Sequence, residues 1–225
     1  MGEKPILFSG PMVRAILEGR KTQTRRVMSF QPDEEYTTVY GPEMYTQTLI
    51  DRNGEEQPGD EVFGVYGYDW SLKCPYGKPG DYLWVRETWQ AKNLSGLWWH
   101  EVKREERSLH NWAWTNPVFP AYDEQPTRWM PSIFMPREAC RILLKVVNVR
   151  VERLQLISEE DARAEGVVWQ RDFGNGLETR EARPVFFDVW DAINYNRNQG
   201  AYTVSKNPWV WVIEFKRMEG VDARS

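Results

Sequence analysis

A chain of 225 residues, 41% of them hydrophobic, has enough apolar material for a core of its own, and its length suits one large domain or two small ones. Its 33 acidic residues outnumber 29 lysines and arginines, and the net charge of −4 argues against broad, nonspecific duplex binding while leaving room for a local basic patch. No apolar run approaches the roughly 20 residues of a membrane span, and the start, Met1-Gly2-Glu3-Lys4-Pro5, lacks a signal peptide's apolar centre; the expectation is a cytoplasmic protein with no membrane partner.

Residues 4–8 read as a strand running into a helix over residues 11–18. Ser9 can cap free backbone N–H groups, Pro11 suits the first turn, and Met12, Val13, Ile16 and Leu17 fall on one face at helical spacing. Gly19 ends the helix, because glycine tolerates the left-handed conformation that closes many helices. The basic run Arg20-Lys21-Thr22-Gln23-Thr24-Arg25-Arg26 follows. In a plain strand Lys21 and Thr24 point to opposite faces, so they meet only if a turn lies between them. Such cations often do no more than sit in water and complement the helix dipole. A lysine and a threonine three apart, flanked by arginines, also offer a nucleophile, a base and anion-binding donors together.

Residues 28–58 are polar, with Asn53-Gly54 as turn material, and read as a loop or a hairpin; residues 62–68 read as a short strand. The turn formers of residues 74–81 precede a strand over residues 82–87, in which Asp81 shapes the turn, Trp84 fills the core, and Arg86 and Glu87 arrive at the rim. Residues 90–136 hold Trp98, Trp99, Trp112, Trp114 and Trp129 among prolines without clear periodicity. Their rings either pack as a satellite core or stack on bases, as in single-strand binders. Residues 141–154 alternate as a long strand with an irregularity near Asn148. Ser158 caps a short helix, Asp161 follows three residues later, and Gly166 stops it. Glu165 therefore sits in the last turn, where the dipole disfavours a carboxylate and suits a group that holds a proton. A further helix starts at Pro184 with Val185, Val189, Trp190 and Ile193 on one face, residues 209–215 form a last strand, and residues 219–225 are a frayed tail.

Cys74 and Cys140 stand far apart and the two histidines are His100 and His110. With no CxxC or HxxxH spacing, neither a metal nor a cofactor is expected, and a Ser-His-Asp triad is poorly supported.

Gly-Arg-Lys-Thr-x-Thr-x-Arg after an amphipathic helix resembles the opening signature of the ASCH domain family, a branch of the PUA-like superfamily associated with RNA. The stretches Pro79-Gly80-Asp81-Tyr82-Leu83-Trp84-Val85-Arg86-Glu87, Ile157-Ser158-Glu159-Glu160-Asp161-Ala162-Arg163-Ala164-Glu165-Gly166 and Trp209-Val210-Trp211-Val212-Ile213-Glu214-Phe215 are similar to its later segments. The resemblance implies an α+β, mainly β fold: one PUA-like β-barrel over residues 1–225, with flanking short helices and insertions at about 28–60 and 90–136. Some members look like amidohydrolases that remove the acetyl group from N(4)-acetylcytidine. On that resemblance Lys21, Thr24 and Glu165 are the catalytic residues, gathered at a cavity wide enough for a pyrimidine ring, and Arg20, Arg25, Arg26, Trp84, Arg86 and Glu87 bind substrate. The implied partner is a modified cytidine nucleoside or RNA. The alternative is a non-catalytic module that reads single-stranded RNA or DNA through the same basic rim and exposed tryptophans; a third reading gives the Trp-rich insertion a protein-interaction role.

Overall fold

The computed structural model of the chain describes residues 1–32, 38–92, 111–114, 129–167 and 181–218. They form an α+β, sheet-rich fold around a five-stranded sheet. Its strands are β1 (Glu3–Leu7), β2 (Gln23–Val27), β6 (Tyr82–Arg86), β9 (Leu143–Arg153) and β10 (Trp209–Arg217), in the order β1-β6-β9-β10-β2. β1 runs parallel to β6 and the other pairs are antiparallel. Val210, Trp211, Val212 and Ile213 of β10 are all buried, because both faces of that strand are covered. Trp211, Ile213 and Phe215 join Ile6, Phe8, Val13, Ile16, Leu83 and Val85 in the main core, on the side of helix α1 (Gly10–Leu17). Val210 and Val212 pack on the opposite side with Ala162, Phe186 and Trp190 of helices α2 (Glu159–Ala164) and α3 (Ala182–Asn194).

The irregularity expected near Asn148 is a bulge. Glu214 pairs with Asn148 but Phe215 with Val146, so Val147 is the extra residue and is exposed. α3 begins two residues before Pro184, and its buried stripe is Ala182, Phe186, Trp190 and Asn194. Val185 and Val189 are half-buried and Ile193 is exposed, so the apolar face read from the sequence is rotated partly out of the core.

Residues 28–58 prove to hold most of a long hairpin. β3 (Tyr40–Ile50) pairs with β4 (Glu56–Tyr66), and β5 (Ser71–Lys73) adds a third strand. The strand expected over residues 62–68 is thus the end of a longer one, masked in the sequence by its polar first half. β7 (Trp89–Lys92) and β8 (Asn111–Trp114) form a separate ribbon. Trp129 is half exposed, whereas Trp98, Trp99 and the tail 219–225 lie outside the described residues. No described helix is long and apolar enough to cross a membrane.

The expected barrel is not closed by strand pairing among the described residues, since β1 and β2 are the two edges of the sheet. The edges are tied by a side chain instead: Arg26 of β2 donates to the carbonyl of Leu7, the last residue of β1, at 2.6 Å, with its guanidinium 5.1 Å from the Phe8 ring centre.

Candidate functional site

The site is built along the unpaired edge of β2. After Gly19, at φ +75°, the chain turns back over the end of α1, and the Arg20 and Lys21 amides both donate to the Ala15 carbonyl. This turn precedes Lys21 and separates it from α1; only Thr22 stands between Lys21 and the start of β2, so the turn expected between Lys21 and Thr24 is not formed. The chain leaving α2 then docks on this segment: Lys21 and Glu165 form an isolated antiparallel bridge, and the Thr22 amide donates to Ala164 O at 2.9 Å. Gly166 follows at φ +79°, and a Cβ there meets the Cβ atoms of Lys21 and Ala15 at 2.7 and 2.8 Å, so both conformation and space require glycine. Ser158 caps α2 as expected, its Oγ accepting from the Asp161 amide at 3.0 Å.

These contacts fix Glu165 against two cations. Lys21 Nζ, fully buried, donates to Glu165 Oε2 at 2.7 Å and to the Glu165 carbonyl at 2.8 Å, while an Arg25 Nη donates to Oε1 at 3.2 Å. Burial pushes the Lys21 ammonium down from the ordinary lysine value; the charge and hydrogen bond of Glu165 oppose this, and Arg26 and Arg25 add to it, leaving the group lowered. Arg25 is equally buried and also donates to Glu152, at 3.0 and 2.5 Å, and to Asp161 at 2.7 Å. Burial alone lowers the Arg25 guanidinium, but the Glu165 and Glu152 charges outweigh it and the net direction is up. Arg150 extends the network to Asp161, Glu152 and Glu214.

A pocket of about 60 Å³ opens beside this network, walled by Thr24, Arg25, Arg26 and Val27 of β2, by Glu165, and by Val189, Ile193 and Asn194 of α3 with Arg197 beyond it. Thr24 and Glu165 thus face one space, while Lys21 meets it only through Glu165. The volume suits an acetamide-sized group and falls far below the ~300 Å³ at which sites enclose a whole drug-sized ligand. A pyrimidine ring with its sugar therefore has to lie across the open mouth, a correction to the cavity expected from the sequence.

The remaining expected binders are placed elsewhere. Arg20 donates to Glu18 and to Gly166 O and does not line the pocket. Arg25 lines the pocket but is consumed by three carboxylates. Trp84, Arg86 and Glu87 do not line it: Arg86 lies 4.6 Å over the Trp84 ring, and Glu87 is buried in a two-pronged pair with Arg141 at 2.8 Å. Alternation does carry Trp84 and Arg86 to one face together, but that face belongs to a second core with Trp89, Met135 and Leu143. The sequence reading missed Glu152, Arg150 and Arg197. A signal for the first two existed, because Arg150 and Glu152 are charges two apart on one face of β9, alternating with Val149 and Val151 on the other. As for a metal, the nearest grouping of carboxylates, Glu152, Asp161 and Glu165, already holds a cation in Arg25. Comparison with protein-family models, curated proteins and solved structures returns no match.

Proposed function

We propose that the chain is an ASCH-type amidohydrolase on a PUA-like scaffold, removing an N-acyl group from a modified cytidine at the edge of β2. One observation carries this reading: a buried amine and a carboxyl group 144 residues apart in sequence share a 2.7 Å hydrogen bond, and the same carboxyl lines a pocket with a threonine hydroxyl. Thr24 Oγ1 attacks the acyl carbon, and its proton passes to the Glu165 carboxylate that shares the pocket, which relays it to the Lys21 amine that burial helps to keep neutral. β2 supplies the oxyanion donor. Backbone pairing through Thr22 and Met28 leaves the intervening odd-numbered residues, Arg25 among them, with N–H groups turned to the free edge. The C–N bond then breaks, the Lys21–Glu165 pair returns the proton to the leaving nitrogen, and water hydrolyses the Thr24 ester to release the acid and restore the hydroxyl.

What weighs against a binding-only module is the state of the basic rim. Arg20, Lys21 and Arg25 are each paired with a carboxylate, so of the rim Arg26 alone keeps an uncompensated charge, room for one anionic group but not for the run of phosphates that a nucleic-acid backbone presents. The test is incubation with N(4)-acetylcytidine while cytidine and acetate are followed. The expected result is stoichiometric release of both, with kcat/KM climbing with pH to a plateau whose midpoint lies below 10.5, the ordinary value for lysine. Saturable RNA binding with no release of acetate from free or RNA-borne N(4)-acetylcytidine identifies the binding module instead.

A further inference from the structure

We infer that the substrate carries an oxyanion, a phosphate or a carboxylate, that docks between Arg26 and Arg197 beside the acyl pocket. This rests on reading the pocket as the amide-hydrolysing site and specifies what is attached to the amide. Three arginines line the pocket and one carboxylate, Glu165, faces them. Glu165 is already engaged by Lys21 and Arg25, and Arg25 is bound by two further carboxylates. Arg26 and Arg197 have no carboxylate within ion-pair distance among the described residues. Their partners are neutral: Arg26 donates to the Leu7 carbonyl and lies over Phe8, and Arg197 donates to Asn194 Oδ1 at 2.9 Å and lies 5.8 Å from the Tyr202 ring centre. The Arg26 Nε is buried with no hydrogen-bond partner, a donor that costs free energy until something accepts from it.

The two guanidinium groups are close enough to repel. Burial is the main cause that pushes the Arg26 guanidinium down, and the Arg197 charge pushes it the same way, against Tyr76 and Glu165. A protein that lines a small pocket with two like charges and no free counter-charge leaves the neutralisation to its ligand, and forked guanidinium donors match the paired oxygens of phosphate and carboxylate. Val189 and Ile193 add an apolar wall to the same pocket, against which a flat ring can pack.

Two matched pairs of compounds separate the sources of the anion: cytidine 5′-monophosphate against cytidine, and N-acetylglycine against N-acetylglycinamide, titrated calorimetrically into the full chain. The anionic member of one pair binds about tenfold or more tighter than its neutral partner, as a charge-assisted fork contact predicts, and the pair that discriminates names the source. The preference shrinks toward parity in Arg197→Gln, a change at an exposed side chain, and in Arg26→Gln. Equal binding of both members in both pairs overturns the inference, as does a preference that survives both substitutions. Because binding needs no turnover, the two readings fail separately. Arg197-dependent anion binding without hydrolysis of any acylated compound leaves the anion site standing and removes the hydrolase; hydrolysis with no preference for anionic substrates does the reverse.

Discussion

Replacing Arg25 by methionine is expected to destabilise the fold by about 3–5 kcal/mol, read as a lower denaturation midpoint at unchanged slope. Methionine roughly preserves the buried apolar stem but strips Glu152, Asp161 and Glu165 of the one cation they share. Glu165 is the worst placed of the three, nearly all of its side chain lying out of water with only Lys21 left beside it. The Arg25 guanidinium also lies 5.9 Å from the centre of the Phe186 ring, so its loss loosens α3 against the sheet. Arg25→Lys keeps the charge but cannot make the forked contacts, and it recovers only part of the loss. The pH dependence gives an independent check. Burial works to raise the Asp161 carboxyl, but hydrogen bonds and charge from Arg25, with the charge of Arg150, hold it below its ordinary value of 3.8. A carboxyl held low in the fold stabilises it above that ordinary value, and the contribution is lost as pH falls through the folded value. Arg25→Met therefore loses less stability than the wild type between pH 4 and the acid limit. A variant as stable as the wild type, with the same acid dependence, removes the network from the account.

Thr24→Val is expected to lower kcat/KM for N(4)-acetylcytidine by about a thousandfold or more, because no other hydroxyl on β2 lines the pocket. The side chain keeps its shape, and the fold loses no more than about 1 kcal/mol, since the residue is buried at the pocket wall rather than tied into the ionic network. Thr24→Ser, which keeps the attacking oxygen, retains a substantial part of the rate. If valine and serine reduce turnover equally, the hydroxyl is not the nucleophile.

Local signals in the chain carried some elements well. Gly19 and Gly166 mark helix ends because both backbones adopt positive φ, and Ser158 caps the α2 helix through a bond three residues long. The alternation of β9 even located its bulge. What the sequence concealed is long-range. Arg25 reads as one member of a solvated basic run, yet its partners come from 127 to 140 residues away, and nothing local says that three carboxylates converge on it. Glu87 reads as a rim residue for the same reason, since Arg141 captures it across the sheet. The rotation of α3, which brings Val189 and Ile193 to the pocket, depends on how the helix sits on β10 and β2 rather than on its own periodicity. Barrel closure likewise depends on whether β1 and β2 pair, and here an arginine side chain spans them instead.

In the proposed reaction Thr24 becomes transiently acylated. Rapid quenching of the wild-type protein mixed with N(4)-acetylcytidine, followed by peptide mass spectrometry, tests it most directly. An acetyl group is expected on the peptide containing Thr24 before the steady state is reached, absent from Thr24→Val. Cytidine released at the full rate with no acetylated peptide at any quench time contradicts it.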